Sequence, residues 1–334
     1  MAEPIESILT LNQDMEPYVI QSSATRTAFF KQIYPETYAP LQFVHLSDVH
    51  DVPELWDRMV AYVNHYSDYI SFAIHTGDYC GNSQKDYADC YGEGTPCVRP
   101  IFNCVGNHDT VYYDGTYHPC TKKSAHDLLF NHTENWDATF MDGPDSMTYY
   151  RDFPESGIRL IVLDLYYDKE AQCEWLRSVL ADAKEKDLAV VSAMHEATGN
   201  VENTYDVTFH TYNDYIPLCG KLPQMMFEPL FVQFREQGGC YICNLAGHEH
   251  HDLFGLTAAG ILNVIVPCAT SWAGWSDGKR VRGTRTYDCF NVMCIDRNLG
   301  ILKLVRIGDQ LDHYLRTKRV LCFDYVHGKV ISNS

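Results

Sequence analysis

The sequence lacks long apolar runs, linker-like segments and an abundance of basic residues. No apolar run approaches the roughly 20 residues that a membrane-spanning helix requires, and the acidic amino-terminal segment has no basic stretch followed by an apolar one. We therefore expect neither a membrane protein nor a secretory signal. No stretch rich in proline, glycine and serine divides the 334 residues, which favours one large domain. Together these absences predict a cytoplasmic protein.

Basic residues are scarce relative to acidic ones. The chain has 26 lysine and arginine residues against 44 aspartate and glutamate residues, for a net charge of −18. Such a charge repels nucleic acid and anionic membranes at long range. We expect no long nucleic acid and no membrane as a partner. An anionic small substrate would need positive charge close to its binding site.

The chain has 13 cysteines, many of them inside apolar, strand-like runs. This placement is typical of reduced, buried thiols and predicts a reducing compartment. Cys240 and Cys243 have C-x-x-C spacing, but residues three apart on a strand point to opposite faces, which disfavours a metal site there. A disulfide or a small metal site is the alternative for four cysteines in two polar loops: Cys80, Cys90, Cys97 and Cys120.

The first half of the chain alternates strands with helices, whereas the last third is mostly strand. The apolar runs predict strands at 41–46, 71–76, 101–105, 158–165, 188–194, 240–246, 261–268, 289–295 and 301–307. Helical spacing predicts helices at 53–68, 171–186 and 224–237, with a short helix near 124–132 in an otherwise loop-like stretch over 110–157. The pattern predicts an α/β (α+β) fold, in which a mixed two-sheet β-sandwich is flanked by helices.

One of these strands ends in a markedly polar tetrapeptide. Residues 101–105 are followed directly by Gly106-Asn107-His108-Asp109. Loops at strand ends, held by a rigid sheet, are where catalytic groups usually collect. Taken alone, the tetrapeptide is equally an ordinary turn.

The catalytic interpretation gains weight because four other strands end in the same way. In chain order, the five endings are Asp48-x-His50, Gly77-Asp78, Gly106-Asn107-His108-Asp109, His195 and Gly247-His248-x-His250. Residues i and i+2 of extended backbone lie on one side, so His248 and His250 could reach adjacent metal ions. A single ending of this kind is common by chance. Five such endings, each following its own strand, indicate a metal site.

This series resembles the signature of the calcineurin-like metallophosphoesterase superfamily, D-x-H, G-D, G-N-H-[DE], H and G-H-x-H. The resemblance spans roughly residues 41–252 and fills every motif position. It implies a four-layer, metallo-dependent phosphatase-like sandwich with two metal ions at the strand ends. We place this domain at 41–310, between a packed amino-terminal extension (1–40) and a carboxyl-terminal extension (311–334).

The resemblance also implies a ligand set. By motif, Asp48, His50 and His250 would hold the first ion, Asn107, His195 and His248 the second, and Asp78 would bridge them. Carboxylate, imidazole and amide ligands without thiolate suit Mn, Fe, Zn or Co. Two divalent ions against two carboxylates would make the site locally cationic, so a phosphate could bind despite the overall charge.

The implied activity is that of a phosphoric ester hydrolase, of EC 3.1 type. A metal-bridging hydroxide would attack phosphorus in line. His108 has no metal to bind in this scheme, and it could protonate the leaving alkoxide. Asp109 or another carboxylate could orient its ring. The expected substrate is a small phosphodiester or a nucleotide.

Departures from particular subfamilies narrow this interpretation. Ser/Thr protein phosphatases continue G-D as G-D-x-V-D-R-G, whereas here Tyr79 and Cys80 follow Asp78. The signature of purple acid phosphatases has D-x-G and a tyrosine ligand. Here His50 replaces the glycine and Gly81 stands at the tyrosine position. Two alternatives remain: a nuclease, which the acidity disfavours, and a non-catalytic scaffold for protein binding, which the presence of His108 disfavours.

Substrate selection would come from segments between the motifs. Residues 269–287 combine Trp272 and Trp275 with Arg280 and Arg282. Aromatic faces beside guanidinium groups could hold a nucleobase and a phosphate. Alternatively, the tryptophans pack under the loop and the arginines are solvated.

Overall fold

The structure, a computed structural model, consists of two β-sheets packed face to face with helices outside. It describes residues 4–20, 37–50, 52–79, 96–109, 111–113, 116–118, 137–143, 146–166, 168–199, 201–203, 224–250, 252–269, 280–309 and 319–334. The helices are α1 (Pro4–Leu11), α2 (Glu16–Ile20), α3 (Pro53–His65), α4 (Lys169–Glu185) and α5 (Gln224–Glu236). The strands are β1 (Leu41–Leu46), β2 (Phe72–His75), β3 (Ile101–Asn103), β4 (Val111–Tyr113), β5 (Thr116–His118), β6 (Thr139–Phe140), β7 (Tyr149–Phe153), β8 (Ile158–Val162), β9 (Ala189–Ala193), β10 (Val201–Asn203), β11 (Tyr241–Ala246), β12 (Leu253–Thr257), β13 (Leu262–Ile265), β14 (Cys289–Asp296), β15 (Ile301–Gly308), β16 (Val320–Asp324) and β17 (Lys329–Asn333).

Each sheet mixes parallel and antiparallel strands. The first sheet has seven strands in the order β17-β16-β15-β14-β1-β2-β3, in which β1, β2 and β3 are parallel. The second has eight strands in the order β10-β12-β13-β11-β9-β8-β7-β6, in which β8, β9, β11 and β13 are parallel. Strands β4 and β5 form a separate hairpin. This arrangement confirms the predicted mixed two-sheet sandwich.

Aromatic side chains join the two sheets in the interior. Phe43 of β1 stacks on Phe72 of β2 with 4.6 Å between ring centroids. Phe72 in turn stacks on Phe153 of β7, in the other sheet, at 4.9 Å. Because alternate residues of a strand point to opposite faces, Phe43 and His45 both face the second sheet.

Helices cover the outer face of each sheet. Helix α3 starts with Pro53, where the missing N–H costs nothing, and it buries Leu55, Met59 and Val63 at helical spacing. Helix α1 packs on α3. Helices α4 and α5 cover the second sheet through side chains such as Leu176 and Phe231. The result is the four-layer order of helix, sheet, sheet and helix.

Some strands differ from the sequence expectation. We expected loops over 110–157, whereas Tyr149–Phe153 forms β7 and pairs with β8. Its sequence lacks an apolar run, because it lies near the sheet edge and is only partly buried apart from Tyr149. Strands β16 and β17 extend the first sheet within the segment placed outside the domain, whose limits remain a prediction. The expected helix near 124–132 lies outside the described residues.

The structure describes nine of the thirteen cysteines. None of these nine cysteines, Cys240 and Cys243 among them, forms a disulfide. Of the four loop cysteines, only Cys97 lies within the described residues, and it is one of the nine. No helix among the described residues is long and apolar enough to cross a membrane.

Candidate metal centre

The five polar strand endings meet at one edge of the sandwich, which we call the carboxyl edge. Strands β1, β2 and β3 are parallel in one sheet, as are β9 and β11 in the other, so the carboxyl ends of each set lie together. Backbone hydrogen bonds join the endings within each sheet: Asp48 N donates to Gly77 O at 3.0 Å, and Gly247 N donates to His195 O at 2.9 Å. His248 N donates to Asp48 Oδ2 at 3.1 Å and so joins the two sheets.

The backbone at this edge is locally strained. Five candidate ligands have a positive φ: Asp48 (55°), His50 (41°), Asp78 (59°), His248 (63°) and His250 (58°). A non-glycine residue pays about 1–2 kcal/mol for this left-handed conformation. Strain of this kind concentrates at functional sites, where it fixes the direction of side chains. The residue types give only a weak signal for it, because aspartate and histidine are enriched at positive φ.

The glycines of the motifs allow the backbone to approach the ligands closely. A Cβ on Gly106 would collide with the Asp78 carboxylate, and a Cβ on Gly247 would collide with Ser47 and Asp48. Gly77 has a φ of 102°, and a Cβ there would lie 2.5 Å from His195 Nδ1. These positions therefore require glycine.

Four side chains form a first group, the His50 lobe: Asp48, His50, Asp78 and His250. Asp48 Oδ1 lies 3.7 Å from His50 Nε2 and 3.1 Å from His250 Nε2, and the two ring nitrogens are 3.2 Å apart. Asp78 Oδ2 is 3.8 Å from His50 Nε2. All four donor atoms lie within 4.8 Å of one another, a spacing that suits ligands about 2.0–2.2 Å from one cation.

A second group, the His195 lobe, consists of Asp78, Asn107, His195 and His248. His195 Nε2 lies 3.3 Å from Asp78 Oδ2 and 3.0 Å from Asn107 Oδ1. His248 Nδ1 lies 2.9 Å from Asn107 Oδ1 and 3.2 Å from His195 Nε2. Asp78 therefore belongs to both lobes, and the structure brings all seven ligand candidates together.

The carboxylates have the hydrogen bonding that a metal site needs. One oxygen of each is held by a backbone N–H: Asp48 Oδ2 by His248 N, and Asp78 Oδ1 by His108 N at 2.8 Å. The other oxygens, Asp48 Oδ1 and Asp78 Oδ2, are buried and accept no hydrogen bond from the described residues. Buried oxygens without donors are costly unless a cation lies beside them, so the donor set fits divalent ions.

The electrostatics of the lobes agree with this fit. Burial lowers the pKa of His195, but the Asp78 carboxylate outweighs burial and raises it to about 10. The same contact holds the pKa of Asp78 below its usual value, although burial alone would raise it. Burial and the charge of His195 lower the pKa of His248 to about 4. The carboxylates of Asp48 and Asp78 therefore stay ionised. They favour a positive charge between them, which a divalent cation would supply.

Neighbouring groups fix the ring of His195. Its Nδ1 lies 2.7 Å from Thr76 O. When a metal ion replaces the proton on Nε2, a proton on Nδ1 keeps this hydrogen bond and the Nε2 lone pair faces the lobe, the arrangement usual for a metal-binding histidine.

The two predicted catalytic residues lie beside the lobes with different contacts. The half-buried ring of His108 stands edge-on to that of His50, with 5.0 Å between centroids. Burial lowers the pKa of His108. The buried carboxylate of Asp109 accepts hydrogen bonds from Gly106 N, Asp78 N and Tyr79 N at 2.7–2.9 Å. These contacts hold the Asp78 turn in place.

The predicted substrate residues are only partly described. Trp272 and Trp275 lie outside the described residues. Arg280 Nε donates to Cys268 O at 2.9 Å, and its Nη1 donates to Thr286 O at 3.1 Å. Arg282 is largely exposed and pairs with Glu54 at 2.9 Å.

One residue near the lobes was missing from the sequence interpretation. Cys268 is buried, and its Sγ lies within 4.8 Å of a ring nitrogen of both His50 and His250. A signal for it existed, because Cys268 ends the apolar run 261–268 and so follows a strand as the other candidates do. Because Cys268 lies in an apolar run, its local sequence predicts a buried thiol instead.

A buried ion pair fixes the start of β12, just after the segment that carries His248 and His250. Arg306 Nη2 of β15 donates to Asp252 Oδ1 at 2.6 Å, and both side chains are about 5% exposed or less. Asp252 belongs to the loop leading into the second sheet and Arg306 to the first, so the pair links the sheets in the interior. Burial and the charge of Arg306 also lower the pKa of His45 to about 3, so His45 stays neutral.

Comparison with known proteins identifies a family. The family model described as calcineurin-like phosphoesterase matches residues 41–252, the span over which the motifs occur. No curated protein sequence matches the chain.

Several solved structures are similar to this one at low sequence identity. A dimetal phosphatase from Danio rerio has a TM-score of 0.57 at 12% identity, over 80% of this chain and 96% of that one. GAP50, the anchor in the inner membrane complex of Plasmodium, has a TM-score of 0.47 at 14% identity, over 82% and 89% of the two chains. TT1561 of Thermus thermophilus has a TM-score of 0.40 at 10% identity, over 80% and 99%. At 12% identity, the similarity to the Danio rerio structure supports the fold alone.

Proposed function

Because the chain belongs to the calcineurin-like phosphoesterase family, we propose that it is a dinuclear metal-dependent hydrolase of small phosphoesters. The observation that carries the proposal is the pair of lobes that share Asp78. A shared carboxylate between two sets of imidazole, amide and carboxylate donors is the arrangement that holds two ions close together. The glycine contacts and the left-handed backbone of the ligands support a site built for this purpose.

Two divalent ions, of Mn, Fe, Zn or Co, would be held by the seven side chains of the lobes. In these side chains, imidazole nitrogens face carboxylate and amide oxygens. Nitrogen and oxygen donors of this type are the ligands that these metals prefer. When bound, the ions supply positive charge for the phosphoryl oxygens and lower the pKa of water toward about 7.

His108 is the proposed general acid. Its backbone N–H is fixed on Asp78 Oδ1, and its ring stands beside His50 rather than within either lobe. A proton on this ring can pass to the oxygen of the leaving alkoxide as the phosphorus–oxygen bond breaks. We assign Asp109 a positioning role for the Asp78 turn, whose backbone N–H groups it binds; whether Asp109 or another carboxylate orients the His108 ring stays a prediction.

The proposed substrate is a small phosphodiester or a nucleotide. Two carboxylates against two divalent ions leave a local positive charge that binds a phosphate. The chain as a whole carries −18, and this charge opposes the approach of a long polyanion. We propose that Arg280, whose Nε donates a hydrogen bond to Cys268 O, contacts a second anionic group of the substrate.

The first test is hydrolysis of a generic aryl phosphodiester by metal-loaded protein. The His108→Ala variant should lower kcat by roughly 10²–10⁴ with metal content unchanged. His327→Ala is the matched control, because His327 is exposed and pairs only with Asp324 among the described contacts. Full activity of His108→Ala would refute the general-acid role.

The second test concerns the bridge. Asp78→Asn removes the charge that both lobes share, so elemental analysis should show the loss of at least one ion per chain. Two ions retained in Asp78→Asn would exclude Asp78 as the bridge.

The third test concerns the substrate. Metal-supplemented protein should hydrolyse members of a panel of nucleotide monoesters, nucleotide diesters and phospholipid headgroups. Preferential cleavage of a single-stranded oligonucleotide would instead indicate a nuclease, and inactivity on every compound with two ions bound would favour a scaffold.

A further inference from the structure

The loop after β13 brings a thiol to the His50 lobe. The buried Sγ of Cys268 lies within 4.8 Å of a ring nitrogen of His50 and of His250, while those two nitrogens also lie within 4.8 Å of each other. The same thiol donates a hydrogen bond to Asp48 O at 3.1 Å. Three potential ligands of the nitrogen and sulfur type thus share one side of the candidate centre.

Backbone contacts from both sheets fix this thiol in place. Strand β13 is parallel to β11, so its carboxyl end also reaches the carboxyl edge. Val266 N donates to Ala246 O at 3.0 Å, and Ala269 N donates to Ser47 O at 3.3 Å. Arg280 holds the carbonyl of Cys268 itself. These backbone contacts therefore hold the sulfur beside the His50 lobe.

We propose that Cys268 Sγ is a ligand of the cation in the His50 lobe. The proposal rests on the metal centre of the proposed function and adds to it a thiolate donor. On binding, the S–H bond breaks, a sulfur–metal bond forms, and the proton passes to solvent. The His50 lobe becomes a mixed oxygen, nitrogen and sulfur site.

The consequence is a difference in metal preference between the lobes. Thiolate favours softer divalent ions such as Zn²⁺, Co²⁺ and Cd²⁺, whereas carboxylate and amide oxygens suit harder ones such as Mn²⁺. Among the described residues, the grouping around Asp78, His195 and His248 includes no cysteine. The protein therefore holds two unlike ions when both kinds are present, with the softer one in the His50 lobe.

Cobalt spectroscopy tests the thiolate directly. Full-length protein is stripped of metal under reducing conditions and loaded with Co²⁺, whose bonds to thiolate give a near-ultraviolet charge-transfer band. We expect this band in the wild type and its loss in Cys268→Ser, with the visible ligand-field bands retained. The matched control is Cys243→Ala, which removes a buried thiol of β11 and should keep the band.

Cadmium binding provides a second measurement. Cys268→Ser should bind Cd²⁺ at least about tenfold more weakly than the wild type, while Mn²⁺ affinity stays within about threefold. Cys268→Ala should behave as Cys268→Ser, which separates loss of the ligand from an effect of the new hydroxyl.

The outcomes distinguish this inference from the proposed function. Two bound cobalt ions without a charge-transfer band, or a band that survives in Cys268→Ser, would overturn the thiolate ligand and leave the dinuclear centre intact. Failure of the wild type to bind cobalt at all would overturn both.

Discussion

At the edge of the sandwich opposite the candidate centre, Arg297 from the turn between β14 and β15 pairs directly with Asp187, which precedes β9 of the other sheet, at 2.7 Å. Tyr38 joins the pair through a hydrogen bond to Asp187 Oδ2 at 2.8 Å. At the carboxyl edge, by contrast, Asp48 and Asp78 face imidazoles in the interior with oxygens that accept no hydrogen bond from the described residues. Both edges join the same two sheets.

The two edges differ in how deeply their charged groups are buried. The Asp187 side chain is 76% exposed, so water solvates its charge and the pair contributes little. The charges at the carboxyl edge are buried, where each unpaired group is costly. An ion that binds there should therefore also join the sheets. The four predictions below test this contrast, from the largest expected effect on stability to the smallest.

Removal of divalent metal should have the largest effect. A ligand that binds only the folded state at 100 times its Kd stabilises it by about 2.7 kcal/mol, so two ions contribute about 5 kcal/mol. Urea unfolding with and without a chelator measures the difference, with Asp78→Asn as the variant that should respond less. Equal stability of the wild type in both conditions would contradict a joining role for metal.

Loss of one partner of the interior ion pair should come next. Arg306→Met removes the guanidinium group that pairs with the buried Asp252 carboxylate, and we expect a loss of about 3–5 kcal/mol in the free energy of unfolding. The double variant Arg306→Met, Asp252→Leu should recover most of that loss, because it buries no charge. A single variant as stable as the wild type would show that the pair does not link the sheets.

Gly247→Ala should have a moderate effect on stability and a large one on metal binding. The added methyl group would collide with Ser47 and Asp48 of the opposite sheet, at a cost of about 1–3 kcal/mol. Gly238→Ala is the control, because no atom lies within 4 Å of its Cβ position although its φ is 88°. Both variants should lose stability, but only Gly247→Ala should lose metal affinity.

Asp187→Asn should have the smallest effect, below about 1 kcal/mol. The hydrogen bond from Tyr38, assisted by Arg297, holds the pKa of Asp187 below its usual value. A lowered folded pKa means that this contribution is complete above the unfolded value of about 3.9 and is lost as the pH falls through the folded pKa. The Tm values of wild type and variant should therefore differ at pH 7 and converge in acid, and a constant difference would contradict the assignment.

The sequence predicted the buried strands well, because β1, β9 and β11 are apolar runs of strand length with polar residues at their ends. It missed β7 and β17, which are only partly buried or largely exposed and so lack that pattern. It also missed β12 and β16, although most of their residues are buried. It identified the seven ligand candidates because each follows a strand, and the family match confirms the resemblance on which they were assigned.

The sequence could not predict contacts made across the sheets. Asp252 and Arg306 are 54 residues apart in separate sheets, and no local pattern relates them. Aspartate and histidine occur at positive φ more often than most residues, but their types alone do not single out these five positions at the carboxyl edge. Cys268 was passed over because a thiol after an apolar run has the same local sequence whether it is buried in the core or faces a metal.

The left-handed turns at the carboxyl edge have one further consequence for variants of this chain. On conformational grounds alone, glycine suits the five positions from Asp48 to His250 better than the residues present, by about 1–2 kcal/mol each. Replacing His50 with glycine would therefore relieve strain that alanine would keep, while both would abolish binding by that side chain. In the absence of metal, the glycine variant should therefore have a higher free energy of unfolding than the alanine variant.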